Sequence, residues 1–329
     1  MNIMITGIGG GIGSTLGYFL SQNGHKVFGV DNFSGGYTNN LLWEEAAFSI
    51  WEDIDIRDTV LLSEFIKKYS IECIVHAAAI TSLPKCEENP IECYDVNTMG
   101  TISVLNAAQK SGVKDVIFIS TSAVYENNKY YPFAEYHPVF PILAYPLSKK
   151  ISEEVCQSYA EKYGMRIPIL RLFNVFGPRQ DIHRKSPPLI NYIVREIIHN
   201  RVPLLHSDGN QERDYVYVDD VCAIIKKCIE DKRAKNLYNV CSGKTLSVNK
   251  IYKIISLALK FPKEANFNIP SALWEGYDID IDKKIVERET NKYSLGDQTR
   301  IKVELGAEIN DNLEELIEKT ALEIAENYV

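Results

Sequence analysis

Tyr145 and Lys149 stand four residues apart in the run Tyr145-Pro146-Leu147-Ser148-Lys149. On a helix that spacing stacks both side chains on one face. A free phenol titrates near ~10 and is a poor base at neutral pH. A fixed ammonium beside it favours the phenolate and lowers that pKa. The pair then reads as an acid/base, able to take a hydroxyl proton while a hydride leaves the carbon beneath it. The plainer alternative is a packed aromatic among the 19 tyrosines of the chain.

The elements ahead of the pair look like a cradle for a hydride carrier. Asn2 to Thr6 reads as a short buried strand that meets Gly7-Ile8-Gly9-Gly10-Gly11-Ile12-Gly13. An amphipathic helix is expected over 14–23, and the strand 26–30 ends in Asp31. Strand, glycine turn, helix, strand and acid make the first unit of a dinucleotide-binding fold. The glycines fall at 7, 10 and 13, giving a tight turn and a helix N-terminus aimed at a pyrophosphate. Asp31 can accept from both ribose hydroxyls and would repel a 2′-phosphate, and Asn32 adds no positive charge. NAD is favoured over NADP. A glycine-rich loop without a ligand and a surface aspartate are the bland readings.

Further strands are expected to 53, over 71–76, 116–120 and 166–172, with helices over 59–68, 90–110 and 145–163. Small residues at 77–79 permit a flat ring or phosphate to approach the backbone. Ser120-Thr121-Ser122 places hydroxyls at a strand's carboxyl end, where parallel sheets bind ligands. After Gly177-Pro178 prolines break the chain at 187, 188, 203, 262 and 270, and a strand near 236–240 returns to the sheet. The expected fold is α/β, a doubly wound parallel sheet with a smaller C-terminal α/β substrate lobe. The boundaries read as 1–176 for the cofactor domain with 212–260 returning to it, and 177–211 and 261–329 for the lobe.

With these residues in place, the chain resembles the extended short-chain dehydrogenase/reductase family, in its NAD-dependent nucleotide-sugar epimerase/dehydratase branch. The resemblance makes the cofactor domain Rossmann-type. Thr6-Gly7-x-x-Gly10-x-x-Gly13 is similar to the family's cofactor loop, which includes Gly11 and Ile12. Asp31 with Asn32 matches the ribose site, and Asp55 and Ile56 the adenine contact. Ala77, Ala78 and Ala79 would line the cleft, Asn97 would support the lysine, and Phe173 would border the cofactor. Thr121 aligns with the catalytic Ser/Thr beside Tyr145 and Lys149. Arg213 and Arg288 resemble two arginines that grip a nucleotide diphosphate, for which a guanidinium fork suits phosphate oxygens. Ion pairs of Arg213 with Asp214 or Glu212, and of Arg288 with its flanking glutamates, are the bland alternatives. Thr81, Ser122, Asn174 and Ser294 fall among substrate contacts, Ser294 at a position that gates pocket size.

The resemblance also separates reactions. Sugar dehydratases carry Asp-Glu after the catalytic Thr, and related decarboxylases keep the Glu; here Ser122-Ala123 follows. Hydride removal and return, 4-epimerisation, is what remains. A UDP-sugar is the implied substrate, and a UDP-hexose, UDP-N-acetylhexosamine or UDP-hexuronate stays open. One-way 4-oxidoreduction, dehydration or decarboxylation, and non-catalytic NAD sensing are the other classes. Glu126 stands where glycine is usual. A homodimer through helices 90–110 and 145–163 is implied.

Composition sets the outer limits. A net charge of −8 over 329 residues, without a basic stripe, argues against nucleic-acid binding. Seven cysteines, an odd number with no Cys-x-x-Cys pair, read as reduced and buried. The chain runs from Met1 into an apolar strand, and no uncharged apolar run nears the ~18 residues of a membrane span. A cytoplasmic protein is expected, with no membrane partner. His76 reads as a satisfied core histidine, and no metal-ligand spacing is present.

Overall fold

The computed structural model describes residues 1–36, 38–42, 50–270 and 274–327. Its strands in chain order are β1 (Asn2–Thr6), β2 (Lys26–Asp31), β3 (Ile50–Asp53), β4 (Cys73–His76), β5 (Asp115–Thr121) and β6 (Ile169–Leu172), then β7 (Asn174–Phe176), β8 (Leu204–His206), β9 (Glu212–Tyr217), β10 (Leu237–Val240), β11 (Thr245–Ser247) and β12 (Asn266–Asn268). Seven of them form one parallel sheet in the order β10-β6-β5-β4-β1-β2-β3.

The strands read as nearly unbroken apolar runs because helices cover both faces. Alternation sends successive side chains to opposite sides. Ile3, Ile5, Val75, Ile117 and Leu170 enter one core, whereas Met4, Val30, Ile74, Phe118 and Ile169 enter the other. The first of these cores continues towards the C-terminus through Ile190, Leu205, Val248 and Ile317. Each such buried aliphatic side chain contributes about 2 kcal/mol against exposure.

The chain lays down β1, β2 and β3 outward in one direction, then β4, β5, β6 and β10 in the other. The carboxyl ends of β1 and β4 therefore flank a crevice where the strand order reverses.

The helix expected over 90–110 is divided. Pro90–Tyr94 and Gly100–Lys110 are α-helical, and Asp95–Met99 between them is a π-turn. Asn97 lies in that wider turn, and its carbonyl accepts from Thr101 Oγ1 at 2.6 Å and Ser152 Oγ at 3.1 Å. Those hydroxyls cover a carbonyl that the altered winding exposes.

Of the returning stretch 212–260, β10 joins the sheet beside β6, and helix Val218–Glu230 packs on helix Gly11–Gln22. β9 instead pairs with β7 and β11, and helix Val248–Ala258 packs on helices Leu189–Ile198 and Leu313–Asn327. β8 pairs with β12. Residues 271–273, 328 and 329 of the expected lobe lie outside the described residues. No described helix is long and apolar enough to cross a membrane.

Candidate active site

The turn after β1 is shaped by how closely the chain packs on itself. Gly7 has φ +75°, and a Cβ there would lie 2.9 Å from the Ala78 backbone at the end of β4. A Cβ on Gly13 would stand 2.1 Å from the Gly7 carbonyl oxygen. Both positions thus require glycine. Helix Gly11–Gln22 starts inside the glycine run, three residues before its expected start. Gly10 is its N-cap, and no side chain among the described residues hydrogen-bonds that end as a cap. A cavity of about 500 Å³ opens in front, lined by Gly7, Gly10, Asp31, Asn32 and Asp55 together with Ile56 and the 77–81 backbone.

Asp31 Oδ2 accepts from the Gly9 N–H at 2.9 Å and Oδ1 from Phe33 at 2.8 Å. Burial still holds its carboxyl above the usual range, despite those amides. Asn32 donates to Asp55 at 2.9 Å, and Arg57 clamps Asp55 while reaching Asp95 at 2.6 Å. The Arg57 hydrogen bonds hold the Asp55 carboxyl down at about 2. Asp55 is thus fixed as an anion at the cavity edge.

A second cavity of about 360 Å³ joins the first through Ala77, Ala79, Thr81 and Arg184. Thr121, Tyr145, Lys149, Asn174, Phe173 and Ile12 line it. Tyr145 begins helix Ala144–Tyr163, and Lys149 follows one turn later, as the spacing predicts. Lys149 is buried, with Nζ 4.2 Å from the Phe118 ring centroid. Burial lowers its ammonium to about 8.

The phenol does not behave as the spacing suggests. Burial pushes Tyr145 up to about 12; a hydrogen bond with Thr121 pulls it down, and Arg184 does so more weakly. Desolvation of the anion outweighs the charge that Lys149 was expected to bring. Thr121 Oγ1 also accepts from the Ala123 N–H at 3.1 Å, which caps the turn Ser122–Tyr125.

Asn97 does not meet Lys149 through a hydrogen bond but bonds the residue before it. Its Oδ1 accepts from the Ile80 N–H at 2.8 Å, and its Nδ2 donates to the Ile80 carbonyl at 2.9 Å and to Ser148 Oγ at 3.0 Å. One amide thus ties the loop after β4 to the residue preceding Lys149. His76 bonds Thr6 and Thr101 through its two ring nitrogens, at 2.8 and 3.0 Å, and burial lowers it to about 3. It is a satisfied core histidine.

Arg213, Arg288 and Ser294 line neither of these two cavities and form a cluster of their own. Arg213 pairs with neither Asp214 nor the Glu212 carboxylate. It donates to the carbonyls of Glu212, Glu289 and Thr290 at 3.2, 2.9 and 3.1 Å, and so covers the end of helix Lys283–Thr290. Asp214 turns inward and accepts from Ser242, Gly243 and Gly296. Arg288 pairs with the buried Glu126. Ser294 lies across a β-bridge from Arg213, and its hydroxyl is buried without a partner among the described residues. Ser122 does not line the Tyr145 cavity.

A family model described as "NAD dependent epimerase/dehydratase family" matches residues 3–241. The chain belongs to that family. It is 35% identical, over 87% of its length and 91% of the other, to a Methanocaldococcus jannaschii protein provisionally named UDP-glucose 4-epimerase. It is 30% identical to UDP-glucuronate 4-epimerase of Thermodesulfobacterium geofontis, covering 77% of this chain and 79% of that one. The crystal structure of UDP-glucose 4-epimerase from Thermotoga maritima with UDP-glucose superposes with a TM-score of 0.89 at 29% identity, covering 100% of both chains.

As a member of the NAD-dependent epimerase/dehydratase family, the chain is an NAD-dependent enzyme. The residues present fit that cofactor. The tightly packed turn brings the backbone of Gly7 and Gly10 to the cavity wall with no side chain in front of it, and Asp31 lines the same cavity.

Sequence reasoning missed the groups that hold helix Ala144–Tyr163 in place. Its N-cap Leu143 has no capping side chain. Glu126 instead accepts from Ile142 and Leu143 at 2.7 and 3.1 Å, and Glu87 from Ala144 at 2.5 Å. Two glutamates from distant turns satisfy the amides at and just before the helix start, which a local N-cap side chain, reaching the second or third helical amide, does not take. Further along, Glu153 receives Arg171 at 2.9 and 2.7 Å and Ser120 at 2.5 Å. An acid one turn past Lys149, on its buried face, was the available signal. Lys292, 3.5 Å from Glu289, was also missed.

The buried lysine has a measurable cost. A fall from 10.5 to about 8 corresponds to about 3 kcal/mol of destabilisation where both states are protonated, below pH 8. Between pH 8 and 10.5 the unfolded chain binds a proton that the native lysine has lost, so stability rises with pH and the penalty fades. Lys149→Met is expected to unfold at higher urea at pH 7, by up to about 3 kcal/mol, while losing most activity. The gain should shrink towards pH 10. Equal or lower stability of the variant at pH 7 would refute it.

Proposed function

We propose that this protein is a nucleotide-sugar 4-epimerase acting on a UDP-hexose, UDP-N-acetylhexosamine or UDP-hexuronate. One observation carries the reading: among the described residues, the lining of the Tyr145 cavity offers phenols, hydroxyls, an ammonium and a guanidinium, but no carboxylate. Elimination needs an acid for the departing hydroxyl and a base for the adjacent C–H proton, and Ser122-Ala123 can be neither. Proton transfer at an alcohol oxygen is what these groups do.

Tyr145, as phenolate, takes the proton of the sugar 4-hydroxyl and later returns it. Thr121 holds that oxygen and Lys149 supplies positive charge on the same helix face. NAD, when bound, would supply the hydride acceptor and donor, and the positive charge of its oxidised form would favour the Tyr145 phenolate. The protein then has to let the 4-keto sugar present its other face. Arg213 and Arg288 would hold the diphosphate as the pivot, with residues 177–211 and 261–329 as the nucleotide-sugar lobe. The small Ser294 would leave room for an enlarged sugar. Thr81 and Asn174 would contact the sugar from the cavity wall. The same reading carries a homodimer through helices 90–110 and 144–163, supported by the exposed Ile91 and Met99 on the first of them.

A proton NMR time course with UDP-glucose, UDP-N-acetylglucosamine and UDP-glucuronate, without added cofactor, tests the proposal. The expected result is conversion of one anomeric signal to that of the 4-epimer. No conversion, with absorbance at ~340 nm rising and staying high, would replace epimerisation by one-way oxidation.

A further inference from the structure

We propose that Glu126 is an internal counter-anion for Arg288, which the diphosphate of the substrate must displace or outcompete. The inference rests on the reading of Arg288 as a diphosphate ligand. It explains a side chain that the epimerase mechanism does not use. Glu126 is five residues past Thr121 and its side chain is 1% exposed, whereas that of Arg288 is 36% exposed. One carboxylate oxygen accepts the Ile142 and Leu143 amides, and the other meets the Arg288 guanidinium from 162 positions away. The guanidinium therefore has a covered edge, neutralised by the protein, and an open edge.

The pair sits among other charges. Arg213, Arg288 and Lys292 face Glu126 and Glu289, and the Glu87 carboxylate, on the Ala144 amide beside the Leu143 amide that Glu126 holds, lies within electrostatic reach of Glu126. Three cations thus meet three carboxylates, and the protein neutralises its own arginines before any ligand arrives. The cluster is next to the reacting groups: Arg213 and Tyr215 are alternate residues of β9 and share a face, and Tyr215 lines the Tyr145 cavity. A diphosphate carries more charge than one carboxylate and matches guanidinium forks. It can compete for Arg288, but against a partner already in place. Glu126 thus sets the substrate affinity, holding it below what the cations alone would give.

The carboxamide of Glu126→Gln can still accept both amides, so the helix end stays capped while the negative charge is lost. Titration calorimetry with UDP on the whole protein is expected to show about tenfold tighter binding by E126Q than by the wild type. Arg288→Ala should weaken UDP binding at least tenfold, and the double variant should lose the gain from E126Q. Should E126Q not fold, Glu126→Asp, too short to hold the two amides and Arg288 at once, is titrated in its place and is likewise expected to bind UDP more tightly than wild type. Unchanged or weaker UDP binding by folded E126Q, or wild-type affinity in R288A, would overturn the proposal. If wild type converts UDP-sugars in the NMR assay while those affinities stay put, only the counter-anion idea falls. If wild type neither binds UDP nor converts any UDP-sugar, the function reading falls, and this proposal with it.

Discussion

Tyr145→Phe is expected to lower the epimerisation kcat by about a thousandfold, with the bound NAD retained. The substitution deletes one oxygen and keeps the ring that packs near Ala144 and Cys86. Loss of a positioned general acid/base removes roughly 10²–10⁴ in rate. The cofactor cavity is built from other residues, the turn after β1 and the ends of β2 and β4, so it stays intact. NMR turnover and the NAD content of the purified variant are read together. Turnover within threefold of wild type would show that another group moves the proton.

Arg171→Ala should cost about 3–5 kcal/mol in urea unfolding, more than any change on the outer surface. The guanidinium and Glu153 are 4% and 1% exposed, and they meet through two hydrogen bonds. Removing the arginine strands a carboxylate between helix Ala144–Tyr163 and the sheet, with Ser120 as its remaining partner. Arg171 also covers the Tyr125 ring, at 4.8 Å from the centroid. Arg171→Met combined with Glu153→Leu should recover much of the loss, because apolar packing replaces a desolvated pair at little net cost. A single-variant loss under about 1 kcal/mol would mean that water reaches the pair in place of the arginine.

What the sequence makes legible is local. The glycine turn, Asp31 and the Tyr145/Lys149 spacing each lie within one strand–turn–helix unit, and the structure has them where the periodicity puts them. Glu126 with Arg288, Glu87 with Ala144 and Glu153 with Arg171 join segments that only the folded sheet brings together. No period or spacing encodes such partners. The π-turn at Asp95–Met99 is equally silent, since its residues suit an α-helix as well. The Tyr145 phenol was misjudged for another reason. Spacing shows that a lysine is near, but the sign of the shift depends on burial, which only the surrounding walls determine.

The sheet has a further consequence for which molecules can use it. Asp31 ends β2 and Thr121 ends β5, and β1 and β4 lie between them. Three inter-strand steps of about 4.8 Å set these two residues roughly 14 Å apart. That gap is fixed by main-chain pairing, so side-chain substitutions leave it unchanged. The sheet is in effect a ruler: a molecule with a single nucleoside can touch one mark, and only an extended one can touch both.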